Sequence, residues 1–149
     1  MTATGHAILG VSLAATISEP MIGIPLAIIS HVAADAFPHW DTGTNMRKKS
    51  KEEFMVGSFI DVGFSLILPY FLFYYLFPSV NLVYGYTTVI AAQGLDWATA
   101  PYVFLKWKFP PFTWVYNLQK SFDHRLDKPW GIITQVSILL LFLILAYIL

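Results

Sequence analysis

The chain contains no cysteine, and charge is scarce: Asp, Glu, Lys and Arg together make up 12% of its 149 residues. The first absence excludes a disulfide framework and any thiolate ligand, so a bound metal has to take imidazole, carboxylate or water. The second accompanies 56% hydrophobic residues and a mean hydropathy of +0.60, outside the soluble globular range of roughly 45–50% apolar and 25% charged. An integral membrane protein is expected. Nine basic residues balance nine acidic ones, which gives no reason to expect a nucleic-acid partner. No Lys or Arg precedes Arg47, so the apolar run from Ala7 to Ile17 lacks the basic start of a signal peptide and is expected to be retained. Neither an internal repeat nor a low-complexity tract interrupts the chain.

The apolar residues predict one all-α integral membrane domain with about five transmembrane helices, at 4–18, 22–37, 54–77, 82–105 and 130–149. The last three have the roughly 20 residues that a bilayer core requires. The first two are shorter and predict a hairpin, broken where Glu19 precedes Pro20. Gly5, Gly10, Ser12 and Ala14 on one arm, with Ala27, Ser30, Ala33 and Ala34 on the other, would let its helices approach closely. Between 112 and 124, apolar Phe112, Val115, Leu118 and Phe122 oppose Thr113, Asn117, Lys120 and His124, the pattern of an amphipathic helix lying in the interface. All nine basic residues fall in the two loops that five crossings place on one side. By the positive-inside rule that side is the cytoplasm, with the N-terminus inside, the C-terminus outside and the plasma (inner) membrane as the setting.

Against this apolar background the stretch from Ser30 to Asp41 is unusual, since it holds His31, Asp35, His39 and Asp41. His31 and Asp35 are four residues apart, the spacing by which one helix face offers two ligands to one ion. Counting residues from the turns gives depth. His6 is 14 residues before Pro20, and His31 and Asp35 are 11 and 15 after it; Asp61 is 17 before Pro78 and Asp96 is 18 after it. All five therefore lie in the cytoplasmic half, with His39, Asp41 and His124 just above. An ionised aspartate in a membrane helix costs about 2.5–3.5 kcal/mol, so a function that uses the charge is expected. A divalent cation would neutralise the carboxylates and satisfy the imidazoles together.

These residues resemble a family. The pattern Gly5-His6-Ala-Ile-Leu-Gly10, the small-residue hairpin, then His31-x3-Asp35-x2-Pro38-His39-Trp40-Asp41 and a later His124-Arg125, is similar to the YdjM-like inner-membrane metal-dependent hydrolases. More distantly it resembles the N-terminal histidine arrangement of zinc-dependent phospholipase C proteins. The chain departs from the family in having Gly5 where Thr is usual, and Pro38-His-Trp-Asp41 in place of an acidic Pro-Asp-x-Asp-His cluster. The resemblance implies a metal site that includes His6, His31 and Asp35.

Residues and resemblance together lead to an expected function: a metal-dependent hydrolase acting on a lipid, or on a lipid-linked phosphate or ester, at the cytoplasmic leaflet. His6, His31, Asp35, Asp61 and Asp96 would hold a divalent ion, zinc first, with manganese or iron as the other metals such donors accept. His124 would act as general acid or base, Arg125 would receive a phosphate group, and His39 would join them at the mouth. Membrane lipid is then both environment and substrate. Two readings from other classes stand beside this one: a metal or proton conduit, and a structural subunit that docks a partner through its aromatic and basic surface. The conduit is the poorer, because the outer helix halves offer mainly Thr87, Thr88 and tyrosines.

Overall fold

A computed structural model describes residues 1–149 and contains seven α-helices and no strand. They are α1 (Ala3–Thr16), α2 (Pro20–Ala36), α3 (Lys51–Tyr75), α4 (Leu82–Ala92), α5 (Gly94–Phe104), α6 (Phe112–Phe122) and α7 (Trp130–Ile148). The helix ends follow local chemistry. Thr2 caps α1 by accepting from Gly5 N at 3.0 Å, and Glu19 caps α2 with Pro20 in its first turn. At α3 a reciprocal capping box forms, in which Ser50 Oγ accepts from Glu53 N at 3.0 Å and Glu53 Oε2 accepts from Ser50 N at 3.1 Å.

Two helices, α3 and α7, are long and apolar enough to cross a membrane, with mean hydropathies of 1.7 and 2.4 over their most apolar windows. This corrects the expectation of five crossings. At 1.5 Å per residue the 14 residues of α1 reach about 21 Å and the 17 of α2 about 26 Å, short of a hydrocarbon core of roughly 30 Å. The expected single helix over 82–105 is two helices of 11 residues each. They are separated at Gln93, whose side chain turns back to donate to Val89 O at 3.2 Å and accepts from Ser65 Oγ at 2.8 Å. Gly94 follows, a weak helix former at the point where the helix stops.

The central element is α1, which packs against α2, α3, α4 and α7. Small side chains make this possible. Ala7, Val11 and Ala14 are buried against Phe73 of α3, Phe77 just beyond it, Val89 of α4 and Ala146 of α7. A Cβ added to Gly10 would stand 2.8 Å from Val89 Cα and 3.1 Å from Thr88 O, so only glycine permits this backbone approach. Tyr84 closes the next gap, its hydroxyl lying in the space beside Gly23 and donating to Ile17 O at 2.5 Å.

The interior is unusually polar and the exterior unusually apolar. His6, Ser12, His31, Asp35, His39, Ser65, Thr88 and Gln93 are buried, while Ile28, Ile29, Phe59, Phe64, Ile67, Phe71, Leu140 and Leu141 are exposed. The buried hydroxyls are satisfied within the bundle: Ser12 donates to Ile8 O and Thr88 to Tyr84 O, each at 3.0 Å.

The Gly10 contact yields the first prediction. Gly10→Val forces α1 and α4 apart and costs about 1–3 kcal/mol, the usual penalty of overpacking. Gly63→Ala, whose added Cβ meets no atom within 4 Å, leaves the protein at least as stable. Thermal unfolding of the purified variants, followed by helical circular dichroism, reads the difference.

Candidate metal centre

The centre begins with α1 and α2 held side by side. His6 sits in the first turns of α1 and His31 in the last turns of α2, and their rings stack at 3.8 Å between centroids and 7° between planes. The helix break at Gln93 fixes one of them. A helix end leaves its last carbonyls without internal donors, and the carbonyl of Ala92, the last residue of α4, accepts from His31 Nδ1 at 2.7 Å. A carbonyl can only accept, so the proton is on Nδ1. When neutral, the ring turns a lone pair at Nε2 toward the centre, which is how a ligating histidine is commonly oriented.

Asp35 is where the groups converge. Its Oδ1 is 3.1 Å from His6 Nε2 and 3.9 Å from His39 Nε2, and its Oδ2 is 3.3 Å from His31 Nε2. The α-ammonium of Met1 also lies against Oδ1. Asp96, placed in the first turn of α5 by the same helix break, brings Oδ2 to 3.8 Å from His6 Nε2 and Oδ1 to 3.8 Å from His31 Nε2. Gln119 of α6 holds Asp96, donating to its Oδ1 at 2.6 Å.

His39 arrives by a different route. The segment after α2 pairs with the segment after α6: His124 N donates to Asp35 O at 2.8 Å, His39 N to His124 O at 3.2 Å and Leu126 N to His39 O at 2.7 Å. In extended backbone, alternate side chains face opposite ways. Asp123 and Arg125 consequently turn toward the centre and His124 turns away. Asp123 Oδ1 is 3.2 Å from His39 Nε2, and Arg125 joins Asp123 Oδ2 at 2.6 Å to Asp41 Oδ2 at 3.2 Å. Burial pushes the Asp123 carboxyl up, but the His39 imidazole and Arg125 guanidinium outweigh it and hold the group below the usual carboxylate range. For Arg125, burial works against the charge, and Asp41 and Asp123 raise its pKa above the ordinary value.

His6, His31, Asp35, Asp96, His39 and Arg125 thus lie together, and two of the expected site residues do not join them. Asp61 is committed to the start of α1, accepting from Ala3 N at 2.7 Å, Thr4 N at 3.0 Å and Thr4 Oγ1 at 2.6 Å. His124 is exposed, and only its backbone bonds to the centre. Two residues that sequence reasoning passed over are present. Gln119 and Asp123 are four apart in and just after α6, so one face of that helix carries both, and this spacing is the signal that could have found them. The apolar Trp114 and Leu118 of α6 are exposed, and Gln119 is turned inward.

The donor set fits a divalent cation. Both ring nitrogens of His6, Nε2 of His39 and Oδ1 of Asp123 are buried without a hydrogen-bond partner. Separations of 3.1, 3.3 and 3.8 Å among the His6, His31, Asp35 and Asp96 donors bracket the edge of about 3.3 Å expected for a tetrahedron with bonds of 2.0–2.1 Å. Imidazole and carboxylate without thiolate suit zinc, manganese or iron. Beside the centre a cleft of about 680 Å³ runs between α3 and α5, with Phe59, Val62, Trp97 and Val103 on its walls and Lys106, Lys108 and Arg125 among its polar residues.

Comparison of the chain with protein-family models, with curated proteins and with solved structures finds no match in any of the three.

Separating Asp61 from the centre yields the second prediction. Asp61→Ala removes the acceptors at the start of α1 and costs about 1–2 kcal/mol in unfolding free energy, comparable to loss of a helix cap. The variant takes up as much added zinc as wild type, read by elemental analysis of folded protein.

Proposed function

We propose that this protein is a membrane-embedded, metal-dependent hydrolase acting on a lipid or lipid-linked phosphate or ester, as its resemblance to the YdjM-like proteins implies. The observation that carries the reading is the convergence of His6, His31, Asp35 and Asp96 beside a cleft with apolar walls and a basic rim. In this reading α3 and α7 cross the bilayer. The short α1–α2 hairpin enters it from the basic side, and the broken α4–α5 pair, which starts beyond the far end of α3, brings the chain back to that side. The outward-facing Ile, Leu and Phe side chains then meet lipid, and the buried polar groups stay inside the bundle, which is the distribution hydrocarbon solvent demands.

The basic loops support the orientation. Lys49 and Lys128, from loops far apart in sequence, both lie over the Trp40 ring, at 5.3 and 4.3 Å from its centroid. Lys49, Lys51 and Lys106 line one shallow pocket. Positive charge therefore gathers at the end where the centre opens, and that end is assigned to the cytoplasmic leaflet of the plasma (inner) membrane.

The chemistry a divalent ion supplies here is Lewis acidity, which activates water near neutral pH and polarises a phosphoryl or ester oxygen. The protein's own groups do the rest. His6, His31, Asp35 and Asp96 would hold the ion, and Gln119 keeps the Asp96 carboxylate turned toward it. Arg125, Lys106 and Lys108 receive an anionic headgroup at the rim. Phe59, Trp97 and Val103 exclude water from the apolar part of the substrate.

The third prediction tests this directly. Purified protein contains stoichiometric divalent metal, zinc first, and hydrolyses phosphate-ester or acyl-ester lipids in mixed micelles; chelation abolishes turnover and added zinc restores it. His31→Ala lowers activity by at least two orders of magnitude. Absence of both bound metal and hydrolysis overturns the reading in favour of a structural role.

A further inference from the structure

We propose that the centre holds two divalent cations rather than one, with Asp35 shared between them and the second ion held by His39, Asp123 and Asp35. This rests on the metal-dependent reading above and deepens it. Two separate sets of donors satisfy the geometry. His6, His31 and Asp96 offer atoms that all lie within 4.8 Å of one another, and so, independently, do His39, Asp41 and Asp123. Asp35 stands between the sets, near His6 and His31 on one side and 3.9 Å from His39 Nε2 on the other.

The second position has the marks of a built site. His39 is fully buried, and its Nδ1 donates to Phe37 O at 2.8 Å, which leaves the Nε2 lone pair pointing at carboxylates. A lone pair facing Asp123 Oδ1 at 3.2 Å is repulsive unless a proton or a cation lies between them, and as placed neither atom has a hydrogen-bond partner. Arg125 does not supply that charge. Its guanidinium bonds the other oxygen, Asp123 Oδ2, and leaves Oδ1 aimed at His39. Asp41 stands further out, with Oδ1 accepting from Thr44 at 2.9 Å and Oδ2 facing Arg125. The free donors are therefore His39 Nε2 and Asp123 Oδ1, and Asp35 Oδ1, 3.9 Å from His39 Nε2, would join them on giving up the Met1 α-ammonium that lies against it. A carboxylate between two cations is the usual link in paired-metal hydrolytic centres, where the ions sit about 3.5–4 Å apart.

Titration of the metal-free full chain with zinc alone tests the inference, with bound zinc counted after gel filtration. Wild type should bind two zinc ions per chain, whereas His39→Ala and Asp123→Asn should each bind one, with less than a tenfold change in affinity at the site that remains. Asp123→Asn preserves side-chain shape, so it keeps the test intact if His39→Ala fails to fold. Manganese loading gives a second readout: the wild-type spectrum should show two spin-coupled ions, and Asp123→Asn should show an isolated one. One zinc per wild-type chain, or two in folded Asp123→Asn, overturns the second ion and leaves the single-metal reading in place. No zinc in wild type overturns both.

Discussion

The rest of the structure is arranged around one buried carboxylate. Asp35 has imidazoles at 3.1, 3.3 and 3.9 Å and is almost wholly withdrawn from solvent. An unpaired charge in such a place costs several kcal/mol, so the surroundings must supply positive charge. Even the α-ammonium of Met1 is drawn onto it. Protonating all three rings is a poor solution, because His6 and His31 are stacked at 3.8 Å and two imidazolium rings at that distance repel. Placing divalent charge between rings and carboxylates meets the same need without that repulsion.

Two departures from regular helix make the arrangement possible. The stop at Gln93 releases the Ala92 carbonyl that sets the His31 tautomer, and the restart at Gly94 puts Asp96 in a first turn, where a carboxylate also suits the helix dipole. Further along the chain, extended pairing at His39 and Arg125 brings the end of α6 back over α2. Broken or non-helical backbone at such a place is tolerated when it is buried in protein and its polar groups find partners. Here those partners are the residues of the centre.

Much of this was legible in the sequence, and the parts that were not share a physical reason. The all-helical class and the grouping of His6, His31, Asp35 and Asp96 follow from hydropathy and from counting residues along helices. Counting sets height but says nothing about rotation. Asp61 has the right depth, yet its helix turns it toward the amides of Ala3 and Thr4. His124 has the right depth too, and period-two alternation in a segment read as helix sends its ring outward while Asp123 goes in. Hydropathy also does not register a helix break, because residues 82–105 remain apolar on both sides of Gln93. Crossing number is lost with it.

The polarity of the bundle bears on what the cleft can accept. The cleft beside the centre combines apolar side chains such as Phe59, Val62, Trp97 and Val103 with hydroxyls such as Thr42, Ser58 and Thr99 and with the cationic Lys106, Lys108 and Arg125. A small hydrophilic substrate would leave Phe59, Trp97 and Val103 against water. A wholly apolar one would leave Lys106 and Arg125 unused and would have nothing for the centre to act on. In the proposed reading the molecule that suits both halves has an anionic or ester-bearing head attached to a hydrocarbon body, and the cleft between α3 and α5 would let it approach with that body still in lipid. Substrate class in the proposed reading is thus set by the pairing of two surfaces, one of which is the same apolar exterior that makes this chain a poor fit to water.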